Sequence, residues 1–171
     1  MKILIPLDGS RFAEQILEPA IKLAESSNAE VQLLEVVRDG HGNALWRRGP
    51  TTDEPHNVGS GMAMGVSSHV PGGMPAETAI QAEERLKQQA EDYLNHLATT
   101  RFPRGAKHVV VYGEDPAEEI AKYAREEGVD LIALATHGHT GLSRLLMGSV
   151  ADRLLKLRVA PMMIVHPDGL N

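Results

Sequence analysis

Five short apolar runs alternate along the chain with stretches whose apolar residues recur every three or four positions. That alternation restricts the fold more than any other feature. The first run, Lys2-Ile3-Leu4-Ile5-Pro6-Leu7, is continuous, as suits a strand covered on both faces. Ser10 is placed to cap a helix carrying Phe12, Ile16, Leu17, Ala20 and Leu23, which Pro19 is expected to kink. Glu30 to Val37 returns to strand character. A strand, a helix and a strand at this spacing make a βαβ unit, so the two strands run parallel.

The pattern then repeats. Ala79, Ile80, Leu86, Ala90, Tyr93, Leu94 and Leu97 mark one face of a long helix. His108 to Tyr112 is a strand, and Pro116 to Glu127 a helix closed by Gly128. Asp130 to Ala135 is a fourth strand, Ser149 to Leu157 a last helix and Pro161 to Val165 a last strand. The chain is therefore expected to form one α/β domain over residues 1–171. Its sheet is open, parallel, five-stranded and doubly wound, with helices on both faces. Only Arg38 to Ala76 breaks the rhythm, holding eight of the sixteen glycines and three of the seven methionines. An insertion this long is either functional or disordered. A tolerated surface loop and a lid or partner arm using Met62, Met64 and Met74 both remain open.

Composition narrows the partners. A net charge of -6 provides no footprint for a nucleic-acid backbone. Without cysteine there are no disulfides, thiolate nucleophiles or cysteine-based zinc sites. No apolar run approaches the ~20 residues of a membrane helix. Met1-Lys2 leads straight into a strand rather than a signal peptide. The expectation is a cytoplasmic protein with neither nucleic-acid nor membrane partners.

In open α/β sheets, ligands sit beyond the carboxyl ends of the strands, where the strand order reverses. Pro6-Leu7-Asp8-Gly9-Ser10 arrives there from the first strand and Val36-Val37-Arg38 from the second. The fourth brings Ala135-Thr136-His137-Gly138-His139-Thr140-Gly141, with Gly148-Ser149-Val150 following. Gly138 offers bare backbone N–H groups to an anion. Gly148-Ser149 opens a helix whose free N–H groups and positive dipole end favour phosphate. The spacing is neither that of a P-loop nor that of a dinucleotide fingerprint. On the glycines alone, an ordinary turn and a phosphate site are equally supported. Asp8 suits either a turn cap or a nucleotide contact. His137 and His139 lack the third ligand of a closed metal site, so no metal site is expected. His137 is read as orienting the loop, with His139 and Thr140 facing the phosphates and Arg144 exposed on a helical turn. The charge run Glu114 to Glu127 is read as a solvated helix face.

Ala135-Thr136-His137-Gly138, nine residues, then Gly148-Ser149 resembles the nucleotide-binding signature of the universal stress protein family. That signature is glycine, two residues, glycine, nine residues, glycine, then Ser or Thr. Ile3 to Ser10 resembles the family's opening, Gly113 to Ile120 the start of its third helix, and Ala160 to Val165 its closing strand. The resemblance implies the adenine nucleotide alpha hydrolase-like strand order 3-2-1-4-5. It also implies ATP or ADP as ligand, with Mg²⁺ held mainly through phosphates. Asp8 matches the acid near adenine and ribose, beside Pro6 and Leu7, and Val36 the apolar position against the base. Thr136, His137, Gly138, His139, Gly148, Ser149 and Val150 fall in the matching phosphate segment. The chain departs from the signature at Ala135, where the family has glycine, which puts nucleotide affinity in question. A homodimer through Pro161 to Val165 is implied as well.

Three functions follow from this. The first is a nucleotide-dependent stress-response regulator. The second is a slow ATPase or adenylyl hydrolase, for which Asp8 and His137 are candidate bases; the phosphate loop lacks a lysine, and no catalytic residue is assigned. The third is a partner-binding dimer with a weak or vestigial nucleotide site.

Overall fold

The computed structural model describes residues 1–38, 79–136 and 148–166. Five strands form one parallel sheet: β1 (Lys2–Leu7), β2 (Glu30–Val37), β3 (Lys107–Tyr112), β4 (Leu131–Ala135) and β5 (Met162–Val165). Their order is β3-β2-β1-β4-β5, as the resemblance implied. Four helices connect them: α1 (Leu17–Ser27), α2 (Ala79–Thr100), α3 (Pro116–Glu126) and α4 (Ser149–Leu157). The expected insertion lies outside the described residues beyond Arg38.

The continuous apolar run of β1 is explained by its central place in the sheet. Ile3, Leu4 and Ile5 are fully buried, and neighbouring side chains point to opposite faces. Ile3, Ile5 and Leu7 join Val31 and Leu33 of β2 under α1 and α2, where Ile16, Leu17, Ala20, Leu94 and Leu97 pack. Leu4 and Leu34 face the other way, with Ile132 and Leu134, and meet Ala117, Ile120, Ala121 and Ala124 of α3 and Ala151 and Leu154 of α4. The alanine stripe of α3 lets that helix lie close to the sheet. The opposite side carries the charges of the run Glu114 to Glu127.

Pro19 does not kink a helix interior as expected. A short 3-10 turn, Ala13–Ile16, comes first, and Pro19 falls in the opening turn of α1. Its missing N–H falls at the junction of the 3-10 turn and α1, where only a bond back into that turn is lost, so proline is tolerated. Ser10 caps the 3-10 turn, its hydroxyl accepting from the Ala13 N–H at 3.0 Å. Left-handed residues close two helices: Asn28 at φ 51° ends α1 and Arg158 at φ 49° ends α4. Gly128, at φ 62°, follows α3 as the sequence led us to expect.

Candidate functional site

The strand order reverses between β1 and β4, and the ladder there is short. It comprises only Ile3–Leu131 and Leu4–Ile132, whereas β1 and β2 pair over six positions from Lys2–Glu30 to Leu7–Glu35. Past Leu4 the two strands are no longer paired. Pro6 has no backbone N–H with which to continue the ladder, and this junction is the switch point, the place where open α/β sheets take ligands.

Alternation decides which side chains reach it. Pro6, Val36 and Thr136 continue the series of Leu4, Leu34, Ile132 and Leu134, so these three lie on the α3–α4 face, while Asp8 stands in the turn beyond β1. Val36 is half-buried and packs beside Val111, leaving an apolar surface. Leu7 points the opposite way into the α1–α2 core and can offer the switch point only its backbone. The methyl of Ala135 packs on that same far side, away from Thr136.

Asp8 is exposed and organises the turn after β1. Its Oδ1 accepts from the Ser10 N–H at 3.0 Å and from the Ser10 hydroxyl at 2.6 Å. Thr136 is 2 % exposed and its hydroxyl lies 3.0 Å from His166 Nδ1. His166 was missed in the sequence, although it follows β5 as Thr136 follows β4, and the Ala135–Val165 register sets them side by side.

The starts of α3 and α4 differ in a way that matters for anions. Asp115 caps α3, its Oδ1 accepting from the N–H groups of Ala117 and Glu118. Gly148 stands at the same position on α4 and supplies no capping side chain, and a Cβ there would meet nothing within 4 Å. Ser149 is exposed and Val150 half-buried. Among the described residues, no side chain caps the first N–H groups of α4, which lie at the positive end of the helix dipole. His137, Gly138 and His139 lie outside the described residues, as do Thr140 and Arg144.

Acidic groups collect on the α1–α2 side of the same sheet end. The Tyr93 phenol donates to Glu14 Oε1 at 3.3 Å. Burial first, then the carboxylates of Glu14, Glu35 and Asp8, push its proton affinity well above the ordinary phenol value. Among the described residues, no three His, Asp or Glu side chains group so as to hold a metal ion. No described helix is long and apolar enough to cross a membrane.

Residues 60–166 match the model of the universal stress protein family, well over half of the chain. The chain belongs to the universal stress protein family. Universal stress protein MJ0531 of Methanocaldococcus jannaschii is 31% identical over 166 residues, which cover 96% of this chain and 81% of the relative. Universal stress protein MJ0577 of the same organism is 30% identical over 164 residues, covering 96% and 93%. The solved structure of MJ0577 superposes with a TM-score of 0.66 and covers 98% of this chain and 96% of its own, at 25% identity. The fold also matches a universal stress protein in complex with cAMP, with a TM-score of 0.55 at 18% identity over 98% of each chain.

Proposed function

We propose that this universal stress protein binds ATP or ADP at the carboxyl ends of β1, β2 and β4, and acts as a nucleotide-dependent regulator of the stress response. The start of α4, which Gly148 leaves without a side-chain cap of its own, carries the reading. It leaves backbone donors and a positive dipole end for phosphate, as an anion site requires. Gly148, Ser149 and Val150, with Thr136, His137, Gly138 and His139 before them, hold the phosphates. Val36 packs against the base with Pro6 and the Leu7 backbone beside it, and Asp8 offers its second carboxylate oxygen to a ribose hydroxyl. Mg²⁺ is carried mainly through phosphate oxygens. The carboxylates of Asp8, Glu14 and Glu35 around this end of the sheet favour the magnesium-neutralised nucleotide over the free anion.

Binding rather than turnover is the role favoured here, because Asp8 Oδ1 is committed to Ser10. The protein acts in the cytoplasm as a homodimer paired along β5. All four β5 side chains are half-buried at the sheet edge, and Leu155 of the neighbouring helix is 41% exposed. Sedimentation equilibrium should give twice the 18.5 kDa chain mass.

The site is tested by denaturing purified protein, identifying released nucleotide, and titrating the stripped protein with Mg·ATP. Saturable binding that is lost in Gly138→Val and weakened in Asp8→Ala is expected. No binding at millimolar ATP would remove the nucleotide role and leave the dimer alone.

A further inference from the structure

Helix α4 has nine residues and two buried side chains, Ala151 and Leu154. Val150 and Leu157 pack at the edge of the same core, and the direction of the helix's first N–H groups depends on how it is rolled about its own axis. One polar contact restrains the roll. Arg153, one turn in from Ser149, reaches across to α3, where its Nη1 lies 2.8 Å from Asp115 Oδ2 and its Nη2 donates to Glu118 Oε1 at 3.2 Å. The other oxygen of Asp115 is the α3 cap, accepting from the Ala117 N–H at 3.0 Å and the Glu118 N–H at 3.4 Å. A single carboxylate thus closes the start of α3 and holds α4 beside it. A planar guanidinium spanning two carboxylates fixes orientation as well as distance, which an ammonium cannot do.

We propose that Arg153 is a positioning residue for the nucleotide site, tying α4 to the capped start of α3 so that the uncapped N–H groups of α4 are aimed at the phosphates. This rests on the nucleotide reading above. Arg153 does not touch the ligand, and its side chain is 53% exposed, so its effect is a few-fold rather than all-or-none.

Titration calorimetry with Mg·ATP and with adenosine tests this in the full-length protein. Arg153→Met is expected to weaken Mg·ATP about threefold to fivefold and leave adenosine unchanged, with Arg153→Lys in between. Asp115→Asn keeps the helix cap but removes the anion that Arg153 grips. It should weaken Mg·ATP by the same factor, and the double variant should be no worse than either single one. A purely electrostatic Arg153 gives the opposite sign, because removing the negative charge of Asp115 would then tighten Mg·ATP. That outcome overturns the proposal, as does an equal loss of ATP and adenosine affinity. Wild-type protein that binds neither ligand removes the nucleotide reading itself and this inference with it.

Discussion

A methyl group built on Gly113 would lie 2.3 Å from Glu119 Cγ and 2.6 Å from its Cδ, so the turn after β3 admits glycine because the α3 glutamate lies across it. Gly113→Ala should cost about 1–2 kcal/mol in urea denaturation, as overpacking does. Glu119→Ala in the same chain should recover most of that loss, and simple additivity of the two changes would show that they do not meet. Tyr93 gives a second residue-level test. Its proton is held more tightly in the folded chain, so its contribution to stability is complete below pH 10 and falls as pH rises past that value, where only the unfolded phenol ionises. Tyr93→Phe should flatten the alkaline slope in part, since burial raises the Tyr123 phenol in the same direction. The placement of the described candidate residues was legible at this scale. Strand alternation alone sends Pro6, Val36 and Thr136 to one face. The same rule turns the methyl of Ala135 into the α1–α2 core, so the departure from the signature glycine does not crowd that face. The grip of Arg153 on Asp115 was not legible, because it depends on how two helices far apart in sequence lie side by side.

Each element is set by its ends as much as by its stripe. Arg158 ends α4 in a left-handed conformation that costs any residue with a Cβ. Arg158→Gly should therefore stabilise the protein by about 0.5–1 kcal/mol in thermal or chemical unfolding. A loss instead would mean that the arginine side chain makes contacts worth more than the strain. Helix α1 shows where sequence periodicity misleads. Phe12 and Ile16 continue the helical spacing of Leu17, Ala20 and Leu23, yet the chain is 3-10 until Leu17, because Pro19 supplies no N–H to bond back into the preceding turn. Helix and strand positions were otherwise read within a residue or two. Apolar period carries that information, whereas the exact ends depend on caps and turns.

At the level of the whole molecule, one ligand should stabilise every element that its site joins. If Mg·ATP bridges β1, β2, β4 and α4, saturation at a hundred times Kd adds about 2.7 kcal/mol. For a domain of this size, the melting temperature should then rise by roughly 5–10 °C. An unchanged melting temperature under saturating nucleotide would place the ligand elsewhere or nowhere. The strand order came from the family resemblance, since crossovers of one hand restrict the windings of five strands without selecting one. The early end of the β1–β4 ladder was not read, although Pro6 lacks the N–H that would extend it. That same order has a consequence during synthesis. The first strand made is the middle of the finished sheet, with one neighbour, β2, close behind it and the other, β4, more than a hundred residues later. At about 5–20 residues per second, the ribosome leaves one flank of β1 without its partner for roughly 6–25 s. A nascent chain halted before Leu131 should therefore be captured by chaperones that a chain halted after Val165 no longer needs.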